Sequence, residues 1–444
     1  MSKIVIIGNG ISGVTAARYI RKYSDHEILI ISGESDYFFS RTALMYVFMG
    51  HMKYEHTQPY EKRFWKKNRI DLLKAWVTEI DYSKKLLFLD SEEKITYDKL
   101  IIATGSKPNK FGWKGQDLKG VQGFYSYQDL QELEENTVDA KTAIVVGGGL
   151  IGVEVAEMLI SRGIKVTFLI RESRFWGNVL PEKSSALIMK HLKAHGLEII
   201  LETELDEVLG DESGRVKAIK TNKGEEISCQ LLALTAGVSP NVSFLKNTEL
   251  AINRGVKVNR ALETNMPDVY AIGDCAEFES VYNGRREIEQ VWYTGKMMGE
   301  VVAKSICKER TEYLPGHWFN SAKFFDIEYQ TYGWVNSELR SDESAFYWEH
   351  SNGEIAVHLI YDKQSKVFKG INTFGIRMRQ EVFEKHLDNQ AKIETVLAEL
   401  KDANFDPELY KHYEDEIVRK FNNETGANVK VKSKSWSRIL NWSK

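Results

Sequence analysis

An α/β fold of parallel sheets, closed by an antiparallel α+β unit, is predicted by three observations. The turns Gly8-Asn9-Gly10-Ile11-Ser12-Gly13 and Gly147-Gly148-Gly149-Leu150-Ile151-Gly152 each follow a short apolar run and open a helical pattern. Two further buried runs end in small residues, at Ala103-Thr104-Gly105 and at Thr235-Ala236-Gly237. From about Glu312 onward the sequence changes to aromatic-rich alternating segments. One G-x-G-x-x-G is weak evidence, because glycine is common. Two in a strand-turn-helix context predict two Rossmann-like dinucleotide-binding domains, the second inserted in the first, with a C-terminal α+β domain holding an antiparallel sheet.

Each element has a local reason. Ile4-Val5-Ile6-Ile7 and Ala143-Ile144-Val145-Val146 are uninterrupted β-branched or small apolar runs, as strands buried on both faces require. The glycines allow a tight turn and close approach of backbone to a pyrophosphate, and the helix end supplies orphan N–H groups and a positive dipole end. The first unit therefore runs from strand Lys3–Gly8 through helix Val14–Lys22 to strand Glu27–Ser32. It breaks off after the strand ending at Ala103-Thr104-Gly105 and resumes through Val269-Tyr270-Ala271-Ile272-Gly273-Asp274. Expected domains are residues 1–110 with 241–311, the insertion 111–240, and 312–444. A polar helix is expected at Gln128–Asn136. In the last domain strands are expected at Lys323–Gly333, Ala345–His350, Ile355–Tyr361 and Val367–Asn372, then helices near Arg377–Leu387 and Lys392–Leu400.

Composition narrows the function. With 60 basic and 63 acidic residues among 444, the net charge of −3 argues against a polyanionic partner such as nucleic acid. Cys229, Cys275 and Cys307 are scattered and form no C-x-x-C pair, which fits a reducing cytoplasm and offers neither a disulfide framework nor a metal motif. The first strand begins at Lys3, leaving no room for a signal peptide, and no run of about 18 apolar residues could span a bilayer.

With these motifs in place, the chain resembles the two-dinucleotide flavoprotein superfamily known as pyridine nucleotide-disulfide oxidoreductases. The stretches Tyr37-Phe38-Phe39-Ser40-Arg41-Thr42-Ala43-Leu44 and Tyr97-Asp98-Lys99-Leu100-Ile101-Ile102-Ala103-Thr104-Gly105 are most similar to its rubredoxin and ferredoxin reductase branch. The resemblance implies FAD at the first turn, on Gly8, Gly10, Ile11, Ser12 and Gly13, with Arg41 near the phosphates and Asp274, after Gly273, at the ribityl chain. Where many relatives carry the acid that binds the adenosine ribose, this chain has Gly33, so Glu34 is the candidate. Val77, Ala103, Thr104, Gly105, Gly237, Val291 and Trp292 complete the expected cofactor-lining set.

The second turn, through Gly147, Gly149, Leu150, Ile151 and Gly152, is then expected to take NADPH or NADH. Apolar Ile170 stands where NADH-selective relatives offer a carboxylate, and Arg171 follows it, resembling the arginine that grips a 2′-phosphate; this favours NADPH, with the adjacent Glu172 eroding the preference. Many relatives pass electrons to a cysteine on the segment after the second strand. Here Ser40–Gly50 contains none, which excludes a thiol relay there. Glu154 matches a glutamate that lies near the nicotinamide and flavin in the branch and often pairs with a lysine. That lysine position is Tyr46, so Glu154 is expected to be unpaired or tyrosine-bonded; the alternative is a polar residue answering the helix dipole.

The expected activity is FAD-dependent NAD(P)H oxidation with electrons delivered to an external acceptor, a ferredoxin- or rubredoxin-type carrier first and a quinone second. A redox-responsive binding module is a further alternative. Trp318, Phe319 and Trp292 are candidate walls of the flavin or acceptor pocket. The tail Lys430–Lys444 carries five positive charges with Trp436, Ile439 and Leu440 at helical spacing, suited to an anionic membrane or an acidic redox partner, or to a solvated end. A homodimer through the last domain's sheet is also open.

Overall fold

The computed structural model describes residues 1–246, 248–282, 284–405 and 411–432. They fall into two compact units, one of Met1–Val166 with Leu205–Pro315 and the other of Thr167–Glu204 with the C-terminal segment from Gly316.

In the first unit the strands Val269–Ala271, Lys99–Ile102, Lys3–Ile7, Glu27–Ile31 and Ile70–Leu73 lie side by side in that order, all parallel. Ile4, Val5 and Ile6 are completely buried, as their unbroken apolar run requires. The strand Thr142–Val146 pairs in parallel with Leu231–Leu234, which in turn pairs with Val121–Gln122. Both glycine-turn strands thus lie beside the strand that ends in a small-residue turn.

The helix Ile11–Tyr23 starts three residues earlier than its apolar pattern suggests, because Gly10 itself is the N-cap. It packs closely on the helix Trp292–Cys307 through two glycines of the latter. A Cβ on Gly299 would lie 2.6 Å from the Ser12 carbonyl oxygen and 3.0 Å from the Ala16 nitrogen, and one on Gly295 would lie 2.5 Å from Ser12 Oγ. Alanine at 299 gains about 1 kcal/mol in helix propensity but meets backbone that cannot step aside, an overpacking cost of about 1–3 kcal/mol. Gly299→Ala is therefore expected to lower stability by up to about 2 kcal/mol in urea unfolding of the flavin-loaded protein; a gain in stability would show that the two helices separate freely.

In the second unit, strand residues Thr167–Leu169 pair in parallel with Glu198–Ile200. Five antiparallel strands run in the order Phe319–Phe324, Ile327–Gly333, Phe368–Phe374, Ala356–Asp362 and Glu343–Glu349. The single segment expected at Lys323–Gly333 is two strands, reversed at Phe325-Asp326. Neither residue signals a hairpin, and Phe325 adopts φ +58°, a left-handed conformation uncommon for an aromatic side chain. Helices Gln380–Asp388 and Ile393–Ala398 lie where polar helices were expected. The helix Glu414–Thr425, closed by Gly426 in the left-handed conformation, went unread because no apolar run announces it. No described helix is long and apolar enough to cross a membrane. Of the basic tail, Trp436, Ile439 and Leu440 lie outside the described residues; Lys432 pairs with Glu399 at 2.6 Å.

Candidate functional site

The two glycine turns have the same physical design. Gly8 has φ +113°, and a Cβ there would lie 2.1 Å from the Ala103 carbonyl oxygen; one on Gly13 would lie 2.1 Å from the Gly8 carbonyl oxygen. Gly147 has φ +104°, and its Cβ would come 2.8 Å from the Thr235 carbonyl oxygen. In each turn the first glycine is required by the adjacent strand end. The second is different: around Gly10 and Gly149 a Cβ would meet nothing within 4 Å. Both are N-caps whose helices, opening with Ile11-Ser12-Gly13 and Leu150-Ile151-Gly152, have no side-chain cap and no acid in the first turn. Two positive helix ends therefore face open space, the cradle a pyrophosphate fits and a methyl group would start to fill.

The neighbours of the first turn are tightly bonded. Gly105 and Gly273 take φ +68° and +72°, and a Cβ on Gly273 would lie 2.3 Å from Ser12 Oγ. Thr104 Oγ1 donates to the Asn241 carbonyl at 2.8 Å. Asp274 accepts from Ser106 Oγ at 3.1 Å and from the Tyr125 hydroxyl at 3.4 Å, while Gln290 donates to Ser106 Oγ at 2.7 Å. Burial raises the Asp274 carboxyl above the usual range, against the pull of these donors and of Arg41.

Glu34 and Arg41 come together in a way their sequence separation hides. Both Arg41 amino groups donate to Glu34, at 2.8 and 2.7 Å, and the Tyr127 amide donates to the same carboxylate at 3.0 Å. The guanidinium also lies 4.3 Å above the Tyr125 ring. Burial opposes the Arg41 charge, but the Glu34 carboxylate outweighs it and raises the pKa. Trp76 covers Gly33: a Cβ there would lie 2.1 Å from the indole, so no acid fits at 33 without displacing it. Val77, the next residue, is buried at the start of a strand. Tyr125, Ser106, Gln290 and Trp76 were missed from sequence, since none belongs to a motif.

Tyr46 and Glu154 lie on helices Leu44–Phe48 and Leu150–Ser161, which pack together. Arg162, just past the second helix, donates to the Phe48 carbonyl at 2.7 Å. Tyr46 stacks on His51, ring centroids 6.1 Å apart, and neither hydrogen bonds nor ion pairs engage the Glu154 carboxylate among the described residues. Glu154 is the fifth helical residue, past the first turn, so the dipole does not account for it. Burial first, and then the like charge of Glu157, push its carboxyl up to about 7.

Gly237 takes φ +87°, and Val291 caps the helix that Trp292 opens. Trp292 is 39% exposed. Arg171, in the second unit, is exposed and pairs with Glu172 at 3.0 Å, beside fully buried Ile170. Trp318 stacks on Trp334 at 5.5 Å, within that same unit. The three thiols are all suppressed by burial, Cys229 to about 12; Cys275 donates to the Ile102 and Ile272 carbonyls.

Two helix-end anion cradles on parallel-sheet strand ends define a two-dinucleotide oxidoreductase. Residues 2–299 match the family model described as pyridine nucleotide-disulphide oxidoreductase, and the chain belongs to that family. It is an FAD-dependent oxidoreductase of NAD(P)H. It is 30% identical over 311 residues to the rubredoxin-NAD(+) reductase of Ectopseudomonas oleovorans, covering 69% of this chain and 80% of that one. It is 28% identical over 372 residues to the assimilatory nitrate reductase electron transfer subunit of Bacillus subtilis, covering 83% of this chain but only 45% of that protein. In fold it matches an NAD-dependent persulfide reductase from A. fulgidus with a TM-score of 0.83 at 23% identity, covering 96% of this chain and 84% of that one.

Proposed function

We propose that the protein oxidises NAD(P)H at the Gly147 turn, with FAD at the Gly8 turn, and passes the electrons to a small carrier protein of rubredoxin or ferredoxin type without a thiol relay. The observation that carries this reading is the pair of uncapped helix ends together with three cysteines whose thiols are all held protonated by burial. Bound flavin supplies the hydride-accepting ring and releases the electrons onward. The amides following Gly10 and Gly149 hold the two pyrophosphates. Glu34 acts by holding the Arg41 guanidinium in place through two hydrogen bonds. Residues 1–110 with 241–311 form the FAD domain and 111–240 the NAD(P)H domain. Arg171, following apolar Ile170 in the sequence, favours NADPH over NADH by resemblance.

Anaerobic titration of the yellow protein tests this. One equivalent of NADPH is expected to bleach the flavin, faster than NADH does, and added rubredoxin or ferredoxin to reoxidise it at a rate that falls with salt. A purified protein without flavin would end the reading. Reoxidation by quinones but not by either carrier would reassign the acceptor.

Glu154 adds a pH signature. Its folded-state pKa, about 7, lies above the unfolded value, so the folded protein holds a proton there; stability is highest below the unfolded pKa and declines as pH rises toward 7. Glu154→Gln is expected to flatten stability between pH 5 and 7.5, and to remove a step near pH 7 from the rate of flavin reduction, checked by stopped-flow absorbance. An unchanged pH–rate curve would place Glu154 away from the reacting centre.

A further inference from the structure

The structure assigns a divalent transition-metal site to His191, His195 and Asp326, all in the second unit. His191 lies in the last turn of helix Glu182–Ala194, and His195 is its C-cap residue. One helical turn apart, the two imidazoles share a face, with ring centroids 4.4 Å apart. Asp326 is supplied by the unexpected hairpin reversal between Phe324 and Ile327. Left-handed Phe325 turns the loop there, and its ring lies 4.7 Å from that of His195. One donor atom from each of His191, His195 and Asp326 converges to within 4.8 Å of the other two.

Hydrogen bonding makes this more than a surface ion pair. His195 Nδ1 lies 3.0 Å from the His191 carbonyl oxygen, which can only accept, so Nδ1 carries the proton. His195 Nε2, the ring nitrogen left to bind a cation, faces Asp326 Oδ1 at 3.5 Å. His191 Nε2 hydrogen-bonds to the same oxygen at 2.6 Å, a contact that metal binding would replace with release of a proton. A backbone carbonyl that fixes the tautomer of a ring whose other nitrogen faces the ion is the usual outer support of a metal-bound histidine. The negative end of the helix adds to the attraction for a cation. Two imidazoles and one carboxylate suit Zn²⁺, Co²⁺, Ni²⁺ or Fe²⁺ better than Mg²⁺ or Ca²⁺. The Asp326 side chain is 69% exposed, so remaining coordination positions are open to water, and the ion would pin the helix end to the hairpin.

The test uses full-length, flavin-loaded protein stripped with a chelator and titrated with ZnCl₂ by calorimetry near neutral pH. One zinc per chain is expected, with a rise in the unfolding temperature. His195→Ala and Asp326→Asn, both at partly exposed positions, are each expected to weaken binding at least about tenfold, the loss that even an outer-shell partner can cause. Flavin content and reduction by NADPH are expected to stay as in the unsubstituted protein, which separates this site from the proposed redox function. Co²⁺ bound in place of zinc is expected to show no thiolate charge-transfer absorption, excluding the cysteines. The absence of zinc uptake, or uptake undiminished in both variants, would overturn the assignment. So would a site that only titrates with protons, which would make it a histidine–aspartate ion pair.

Discussion

Glu289→Ala is expected to destabilise the protein by about 3–5 kcal/mol, the usual cost of breaking a buried ion pair by removing one partner. The Arg285 and Glu289 side chains are only 5% and 1% exposed. Arg285 donates two bonds to the carboxylate, at 2.5 and 2.9 Å, and Tyr313 donates a third at 3.3 Å. Removing the acid takes both Arg285 bonds from a guanidinium that is 5% exposed and that also donates to the Pro315 carbonyl at 3.3 Å. The consequence reaches the site, because Glu289 anchors the segment that delivers Gln290, Val291 and Trp292. Urea unfolding of the flavin-loaded protein reads the loss. Arg285→Met combined with Glu289→Leu is expected to recover most of it, since no unpaired charge remains. A loss below about 1 kcal/mol for the single change would mean that water reaches the arginine.

Gly10→Ala is expected to give a folded protein with little or no FAD. The contrast with Gly8 carries the argument. A methyl on Gly8 would overlap the Ala103 carbonyl oxygen in a left-handed turn, so Gly8→Ala should fail to fold. A methyl on Gly10 meets no protein atom within 4 Å and leaves the extended N-cap backbone undisturbed. What it enters is the space in front of the amides, where the pyrophosphate belongs. A steric intrusion of about 1–3 kcal/mol corresponds to roughly 5- to 150-fold weaker FAD binding. Apoprotein unfolding and flavin absorbance after gel filtration measure the two effects separately. A yellow Gly10→Ala protein with unchanged affinity would show that the cofactor does not sit against this helix end.

The glycine turns and the parallel strands were legible in the sequence because each depends on local chemistry. Unbroken Ile and Val runs need burial on both faces, and a glycine at positive φ precedes a helix start. Glu34 was harder to read. Its place after the second strand suggested the ribose, and that place says nothing of the two bonds its oxygens accept from Arg41. Nothing local to Glu34 records that partner's orientation, or the Tyr127 amide that joins them. Gly33 likewise stood out as a departure from the resembling family, while its cause, the indole of Trp76 lying over it, belongs to another strand's end.

By itself the sequence determined that this protein carries two helix-end anion cradles on parallel strands and has no cysteine between Ser40 and Gly50. Those properties follow from backbone freedom and dipoles acting over about ten residues. Only the tertiary structure decided which charged groups meet: Arg41 with Glu34, Arg285 with Glu289, and Asp326 brought 135 residues along the chain to His191. Electrostatic pairing depends on distance and burial, and both are set by the packing of distant segments.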